Sequence, residues 1–352
     1  MSEATPPIPP YDPTATPHKR RPRYRGSHPR RFEEKYKEHD PERYAETVAK
    51  VMASGKTPAG MHRSIMVAEI LEVLTPQPGE IAVDATLGYG GHTQEILSKL
   101  APGGRLLGLD ADPIELPKTE ARLRTLGFGP DVFTAHRSNF AGLPQVLAAA
   151  ELTGVDVILA DLGVSSMQID DPTRGFSVKL DGPLDMRMNP QRGQSAAALL
   201  QRIKPDALAN LLIDNSDEPH ASTLAPALAG KSFASTRSLA EAIRTTLPRL
   251  NKEDSDLTVR RVFQALRIAV NDEFSALETF LRHLPTCLNP GGRVAILTFH
   301  SGEDRRVKKA FEAGQRDGVY AEIAREVIRP TAAERNTNPR SGPAKLRWAK
   351  RT

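Results

Sequence analysis

Gly88, Gly90 and Gly91 crowd into the stretch DATLGYGGHTQEIL, residues 84–97, with His92 directly behind them. Glycine at such density permits a sharp turn with positive φ and brings backbone close to a ligand. An amphipathic run follows, so the turn should open a helix, whose first amides have no partners within the helix. Asp110, an acid about 20 residues on, is placed to accept hydrogen bonds from ribose hydroxyls. The ligand should therefore contain a nucleoside. The glycine spacing is G-x-G-G and lacks the third glycine of the dinucleotide fingerprint. S-adenosylmethionine, which has a ribose and a zwitterionic tail but no pyrophosphate, fits that spacing better than a nicotinamide dinucleotide does. His92 either joins this site or serves as a capping or packing residue.

Two more groups could do chemistry. The apolar run VILAD ends in Asp161, followed by Gly163, Ser165 and Ser166. An acid at a strand end opposite the glycine turn could hold a reacting amine or the methionine moiety, and the two serines lie where a substrate would meet the cofactor. The alternative is an ordinary surface acid. After VAILTFH come His300, Ser301, Glu303 and Asp304. His300 is either a proton acceptor near neutral pH or a structural hydrogen-bond partner. No Cys/His cluster has metal-ligand spacing, so no metal is expected.

These residues need a frame to bring them together. SIMVAEILEVL has helical spacing, EIAVDATLG reads as a strand into the turn, HTQEILSKL as a helix, and RLLGLDADP as a strand ending at Asp110. DVFTAHRSNF, GVDVILADLGVSS and GGRVAILTFHS supply further strands. Alternating strands and helices imply an α/β fold, a doubly wound parallel sheet with its ligand at the carboxyl ends of the strands. The connection from Ser166 to about Asp256 is too long for one helix, and implies an inserted subdomain. SAAALLQRI, DALANLLI, ASTLAPALA and SLAEAIRTTL within it read as helices. The basic C-terminal NPRSGPAKLRWAKR is either an edge strand or a basic arm.

At 352 residues the chain should hold roughly two units. The single cysteine, Cys287, excludes a disulfide framework, and no run reads as a signal peptide or membrane span. We therefore expect a soluble, cytoplasmic protein. Its net charge of +5 is concentrated at the ends, which suits a polyanionic partner. Residues 1–57, with PPIPPYDPTATP followed by HKRRPRYRGSHPRR, read as a disordered Pro/Arg-rich arm. That arm is either a solvated tail or a source of phosphate contacts, with Tyr24 available to stack on a base.

Five motifs in order, DATLGYGGH, DLGVSSMQIDDPTRGFSVKLDGPLDMRM, RRVFQALRIAVNDE, PGGRVAILTFHSGEDRRVKK and NPRSGPAKLR, resemble the MraW/RsmH family of small-subunit rRNA methyltransferases. The resemblance runs from about His62 to near the C-terminus. It implies a class I S-adenosylmethionine-dependent methyltransferase with a Rossmann-like sheet, formed by residues 58–165 and 257–352, and a helical substrate-recognition subdomain inserted at 166–256. The implied reaction is methylation of the exocyclic N4 of a cytidine in the decoding region of 16S rRNA, in the small ribosomal subunit. Monomer and homodimer are both compatible with this reading.

By position the resemblance assigns the cofactor to Gly90, Gly91, His92, Asp110, Phe140, Asp161 and Gln168, with Phe140 covering the adenine, and Gly88 joins them from the reading of the turn. Asp161, Ser165, Ser166 and His300 become the catalytic candidates. Arg174, Asp185 and Arg187 lie in the loop expected at the cleft, where internal salt bridges compete with substrate contact. Arg260 and Arg261 open an amphipathic helix and either contact phosphate or are simply solvated. The chain departs from the family pattern at IDNSDEPHASTLAPALA, which lacks expected basic residues, at Gly302, where leucine is usual, and at Gly342-Pro343. A methyltransferase of another amino acceptor and a non-catalytic, cofactor-binding ribosome-assembly factor remain as alternatives.

Overall fold

The computed structural model describes residues 64–352. The expected basic arm at 1–57 lies outside the described residues, as does the side chain of Ser166. The first described helix, α1 (Val67–Leu74), buries Ile70 and Leu74. Then follow β1 (Ile81–Asp84), α2 (Gly91–Leu100), β2 (Arg105–Asp110), α3 (Glu115–Thr125), β3 (Phe133–Arg137), α4 (Leu143–Ala149) and β4 (Val155–Asp161). Each strand is short, and β4 is buried along most of its length, as a central strand covered on both faces must be.

After β4 the chain leaves the sheet. It forms the short helix α5 (Ser166–Asp170), a 3₁₀ turn at Pro172–Arg174, and the helices α6 (Ala196–Arg202), α7 (Pro205–Ser216), α8 (Ala221–Leu228), α9 (Thr236–Thr246) and α10 (Lys252–Asn271). The four helices expected inside the insert are α6 to α9. Together with α10 they enclose their own apolar core, including Leu200, Leu212, Leu224, Leu239, Val262 and Leu266. Helix α10 runs unbroken across position 256, where the insert was expected to end. The chain returns through α11 (Glu273–Cys287), β5 (Leu288–Thr298), α12 (Ser301–Arg316), β6 (Tyr320–Ile323), α13 (Ala332–Thr337) and β7 (Lys345–Arg351).

The sheet has the order β3-β2-β1-β4-β5-β7-β6. Strands β1 to β5 pair with one another in parallel, as expected. Strand β7 corrects both readings of the C-terminus. It runs antiparallel between β5 and β6, setting Trp348 opposite Ala295, and is neither an edge strand nor an arm. One face of the sheet packs α4, α11 and α12, and the other packs α1, α2 and α3. This is the Rossmann-like doubly wound sheet anticipated for a class I methyltransferase. Strand order reverses between β1 and β4, so the crevice at their carboxyl ends is the expected ligand site. There Ala85 N–H donates to the Leu159 carbonyl, and Asp161 N–H donates to Thr86 Oγ1 at 2.6 Å.

Candidate active site

The glycine turn is braced from three sides. Gly88 and Gly90 adopt φ of 49° and 74°, the left-handed region that favours glycine. Gly88 N–H donates to Asp110 Oδ2 at 2.8 Å, and its carbonyl accepts from Thr119 Oγ1 on α3. Arg122 lies 3.9 Å over the Tyr89 ring and donates to the Tyr89 carbonyl. On the third side Thr93 Oγ1 donates to Asp84 Oδ2 at 2.7 Å, tying the first turn of α2 to the end of β1. A Cβ on Gly90 would stand 3.0 Å from Thr119 Cγ2, and one on Gly91 would overlap the Ser64 hydroxyl.

Asp110 closes β2 and also accepts from Asp112 N–H at 2.8 Å through Oδ1. Burial pushes its carboxyl up to about 6, against the pull of the Asp112 and Gly88 amides. His92 is buried, and its Nε2 lies 2.9 Å from the Ile65 carbonyl. A carbonyl only accepts, so Nε2 carries the proton there. Nδ1 lies 3.7 Å from Asp161 Oδ2. Burial pushes the Asp161 carboxyl up to about 6 as well; His92 pulls it down, while Asp84 and Glu303 add repulsion. Asp161 Oδ1 is shielded from solvent and has no hydrogen-bond partner among the described residues.

A desolvated acceptor without a donor is costly, and it suits an incoming N–H group. S-adenosylmethionine fits these residues. The glycine turn clears backbone for close approach, Asp110 retains lone pairs for ribose hydroxyls, and Asp161 Oδ1 can accept from an ammonium or amine. Phe140, in the 3₁₀ turn after β3, is half-buried, with its ring 5.5 Å from that of Phe280.

Other expected residues have structural work. Gln168 makes a capping box with Ser165: Ser165 N–H donates to Gln168 Oε1, and Gln168 N–H to Ser165 Oγ. Gln168 Nε2 donates to Asp112 Oδ2 at 2.8 Å. Its amide therefore braces α5 against β2. Arg174, weighed between substrate contact and an internal salt bridge, is buried; its Nη1 donates to the same Asp112 oxygen at 2.8 Å and its Nη2 to the Arg187 and Met188 carbonyls. It is an internal tie. Asp185 and Arg187 form a two-pronged pair at 2.8 and 2.7 Å in the same loop.

His300 caps α12, accepting from Glu303 N–H at Nδ1, with Nε2 3.1 Å from Glu303 Oε1 in a poorly aligned ion-pair contact. Its capping role accords with the structural alternative. Arg260 is exposed and Arg261 half-buried, and neither has an ion-pair or hydrogen-bond partner among the described residues. The space beside Gly302, where leucine is usual, is filled by Phe274: a Cβ would stand 2.7 Å from its Cζ.

Three supports escaped the sequence reading. Asp112 is fully buried and gathers Gln168 and Arg174. Asp170 is gripped by Arg340 of the C-terminal motif at 2.8 and 2.6 Å. Glu334 accepts from Met66 N–H. Asp112 stands in plain view two residues after Asp110, but nothing local marks it as an anchor for residues 56 and 62 positions away. Among the described residues, no helix is long and apolar enough to cross a membrane.

The sequence profile of the MraW methylase family matches residues 59–352. Ribosomal RNA small subunit methyltransferase H 1 of Lachnoclostridium phytofermentans is 53% identical over 341 residues, covering 94% of this chain and 93% of its own. Ribosomal RNA small subunit methyltransferase H 2 of Alkaliphilus metalliredigens is 52% identical over 339 residues, covering 94% and 97%. Ribosomal RNA small subunit methyltransferase H of Anaeromyxobacter sp. is 41% identical over 307 residues, covering 82% and 96%. A span of 94% necessarily enters residues 1–57, so similarity to the first two extends into the basic arm, beyond the limit near His62 expected from the motifs.

Proposed function

The chain belongs to the MraW methylase family, and on that premise we propose that it methylates 16S rRNA in the small ribosomal subunit, at the exocyclic N4 of a decoding-region cytidine. It acts in the cytoplasm. The observation that carries the reading is the Asp161 carboxylate, desolvated at the β1/β4 crevice, with Oδ1 unpartnered beside the glycine turn. The names of relatives matched over nearly their full length support rRNA as the acceptor.

When bound, S-adenosylmethionine supplies an electrophilic methyl group on a sulfonium. The protein's task is placement. The glycine turn seats the ribose-bearing half, Asp110 accepts from the ribose hydroxyls, and Phe140 covers the purine. A cytosine amine is a poor nucleophile because its lone pair is delocalised into the ring, so alignment with the methyl group must supply much of the rate. Proximity and orientation are worth about 7–11 kcal/mol in favourable cases.

Asp161 Oδ1 accepts a hydrogen from the attacking amine or from the cofactor's ammonium, and Ser165, whose Oγ–H remains free to donate, orients the base. The proton leaves to water after transfer, when the methylated amine is far more acidic. For the amine to reach this crevice, the nucleotide must leave its stack, as in other base-modifying enzymes. Insert residues 166–256 form the RNA side of the cleft, and Arg260 and Arg261 are cations available for phosphate. Asp185 and Arg187 shape the loop between.

The test is nucleoside mass spectrometry of small subunits lacking the modification, incubated with S-adenosylmethionine and either wild-type protein or Asp161→Ala. N4-methylcytidine at one decoding-region position with wild type, lost in the variant, is expected. Cofactor binding without a methylated cytidine at any assembly stage would overturn the acceptor and favour an assembly role.

A further inference from the structure

The segment Ser64–Met66, directly ahead of α1, lies on the glycine turn. Three contacts hold it there. The Ser64 hydroxyl occupies the place a Cβ on Gly91 would take. The Ile65 carbonyl accepts from His92 Nε2 at 2.9 Å. Met66, buried with φ of 53°, donates its backbone N–H to Glu334 Oε1 at 2.8 Å, across 268 residues of chain. A left-handed methionine is intrinsically unfavourable, so the segment needs an outside anchor. Among the described residues, only His92 and Glu334 bond to its backbone through side chains.

We infer that Glu334 is a positioning residue of the methyl-donor site, pinning Ser64–Met66 on the glycine turn and thereby fixing the His92 ring beside Asp161. The inference rests on the S-adenosylmethionine reading above. Its logic is a chain of contacts. Glu334 Oε1 fixes the Met66 amide, and Met66 fixes the Ile65 carbonyl next to it. That carbonyl holds Nε2 of His92, which leaves Nδ1 facing Asp161 Oδ2 at 3.7 Å. Without the first link, the ring loses its fixed acceptor and Asp161 loses its ordered neighbour. The Glu334 side chain has no competing duty in its own helix, since the first turn of α13 is capped by Thr331 Oγ1 accepting from Glu334 N–H.

The experiment uses the full chain with Glu334→Ala, Glu334→Gln and Glu334→Asp. Calorimetry measures S-adenosylhomocysteine affinity, and ring ¹⁵N resonances report the His92 tautomer. Glutamine keeps an oxygen acceptor at the same reach, whereas aspartate keeps the charge but falls a methylene short. Affinity should fall at least about tenfold in the alanine and aspartate variants, equivalent to about 1.4 kcal/mol, with His92 resonances displaced. The glutamine variant should stay within about twofold of wild type. Unchanged affinity and His92 signals in the alanine or aspartate variants would overturn the inference. So would a glutamine variant as weak as alanine, or a lowered melting temperature with His92 unmoved. Failure of the wild type to bind S-adenosylhomocysteine would instead overturn the cofactor reading itself.

Discussion

Arg174→Met separates an internal brace from an RNA-contacting arginine. The Arg174 and Asp112 side chains are 8% and 0% exposed, with Nη1 2.8 Å from Oδ2. Methionine replaces the guanidinium with an apolar side chain and leaves the Asp112 charge buried, supported only by Gln168 Nε2 and the Ile114 and Glu115 amides. Removing one partner of a buried pair costs about 3–5 kcal/mol. For a large domain this lowers the melting temperature by roughly 6–20 °C. The comparison is Arg187→Met, whose pair with Asp185 is 23% exposed on both sides and is worth at most about 1 kcal/mol.

Calorimetric melting of each protein without RNA decides the matter. The Asp112→Asn/Arg174→Met double variant should recover part of the loss, because the two sites are in contact and their effects couple. A single Arg174→Met variant that melts within about 2 °C of wild type, while losing affinity for small subunits, would refute the brace and return Arg174 to the RNA surface.

Asp161→Asn should trade binding for stability. Burial raises the native carboxyl to about 6, against an ordinary value of 3.8. The native state therefore keeps a proton that the unfolded chain has released between those values. The group's stabilising contribution is present below about pH 4 and is lost as pH rises through 6. Denaturant titrations should show the variant gaining on wild type at pH 7 relative to pH 4, while S-adenosylhomocysteine binding weakens; no gain at pH 7 would contradict the burial of that charge. Gly90→Ala puts a side chain at φ 74° against Thr119, Arg122 and Leu123 and should cost about 1–2 kcal/mol. Gly91→Ala meets only a rotatable serine hydroxyl and should cost less, an order that urea midpoints can confirm or reverse. Gly302→Leu crowds Phe274 and should cost about 1–3 kcal/mol, with a smaller loss in a Phe274→Leu background.

The glycine turn, Asp110 and the first five strands were legible because their signals are local: a run of apolar residues, a cluster of glycines, an acid at a strand end. The helices of the insert showed themselves by spacing in the same way. The position of β7 did not: an edge strand was one reading of that segment, but LRWAKR carries no mark of its neighbours, and its slot between β5 and β6 is decided by pairing across the sheet. Strand β6, four residues long, is too brief to leave a pattern. Arginine at 174 reads the same whether its partner is a phosphate or Asp112. What separates the two is burial, a property of the folded packing that residue type alone does not report. The candidate site divides likewise: residues that could touch a ligand sit in recognisable motifs, whereas several of the ties around them span 56 to 268 positions.

The placement of β7 has a consequence for the timing of maturation. A ribosome makes this chain from the N-terminus, so Asp161 is polymerised well before Arg340, which braces Asp170, and before β7, which joins β5 to β6. At ~5–20 residues per second the gap between Asp161 and Arg340 is on the order of ten seconds or more. Throughout that interval the nascent chain carries its glycine turn and its carboxylates without the ties that Glu334, Arg340 and β7 supply. Premature termination near residue 330 would yield a polypeptide with the ligand-touching side chains intact but without Glu334, Arg340 and β7. Such a fragment should be inert, so competence arrives only once Glu334, Arg340 and β7 have been made.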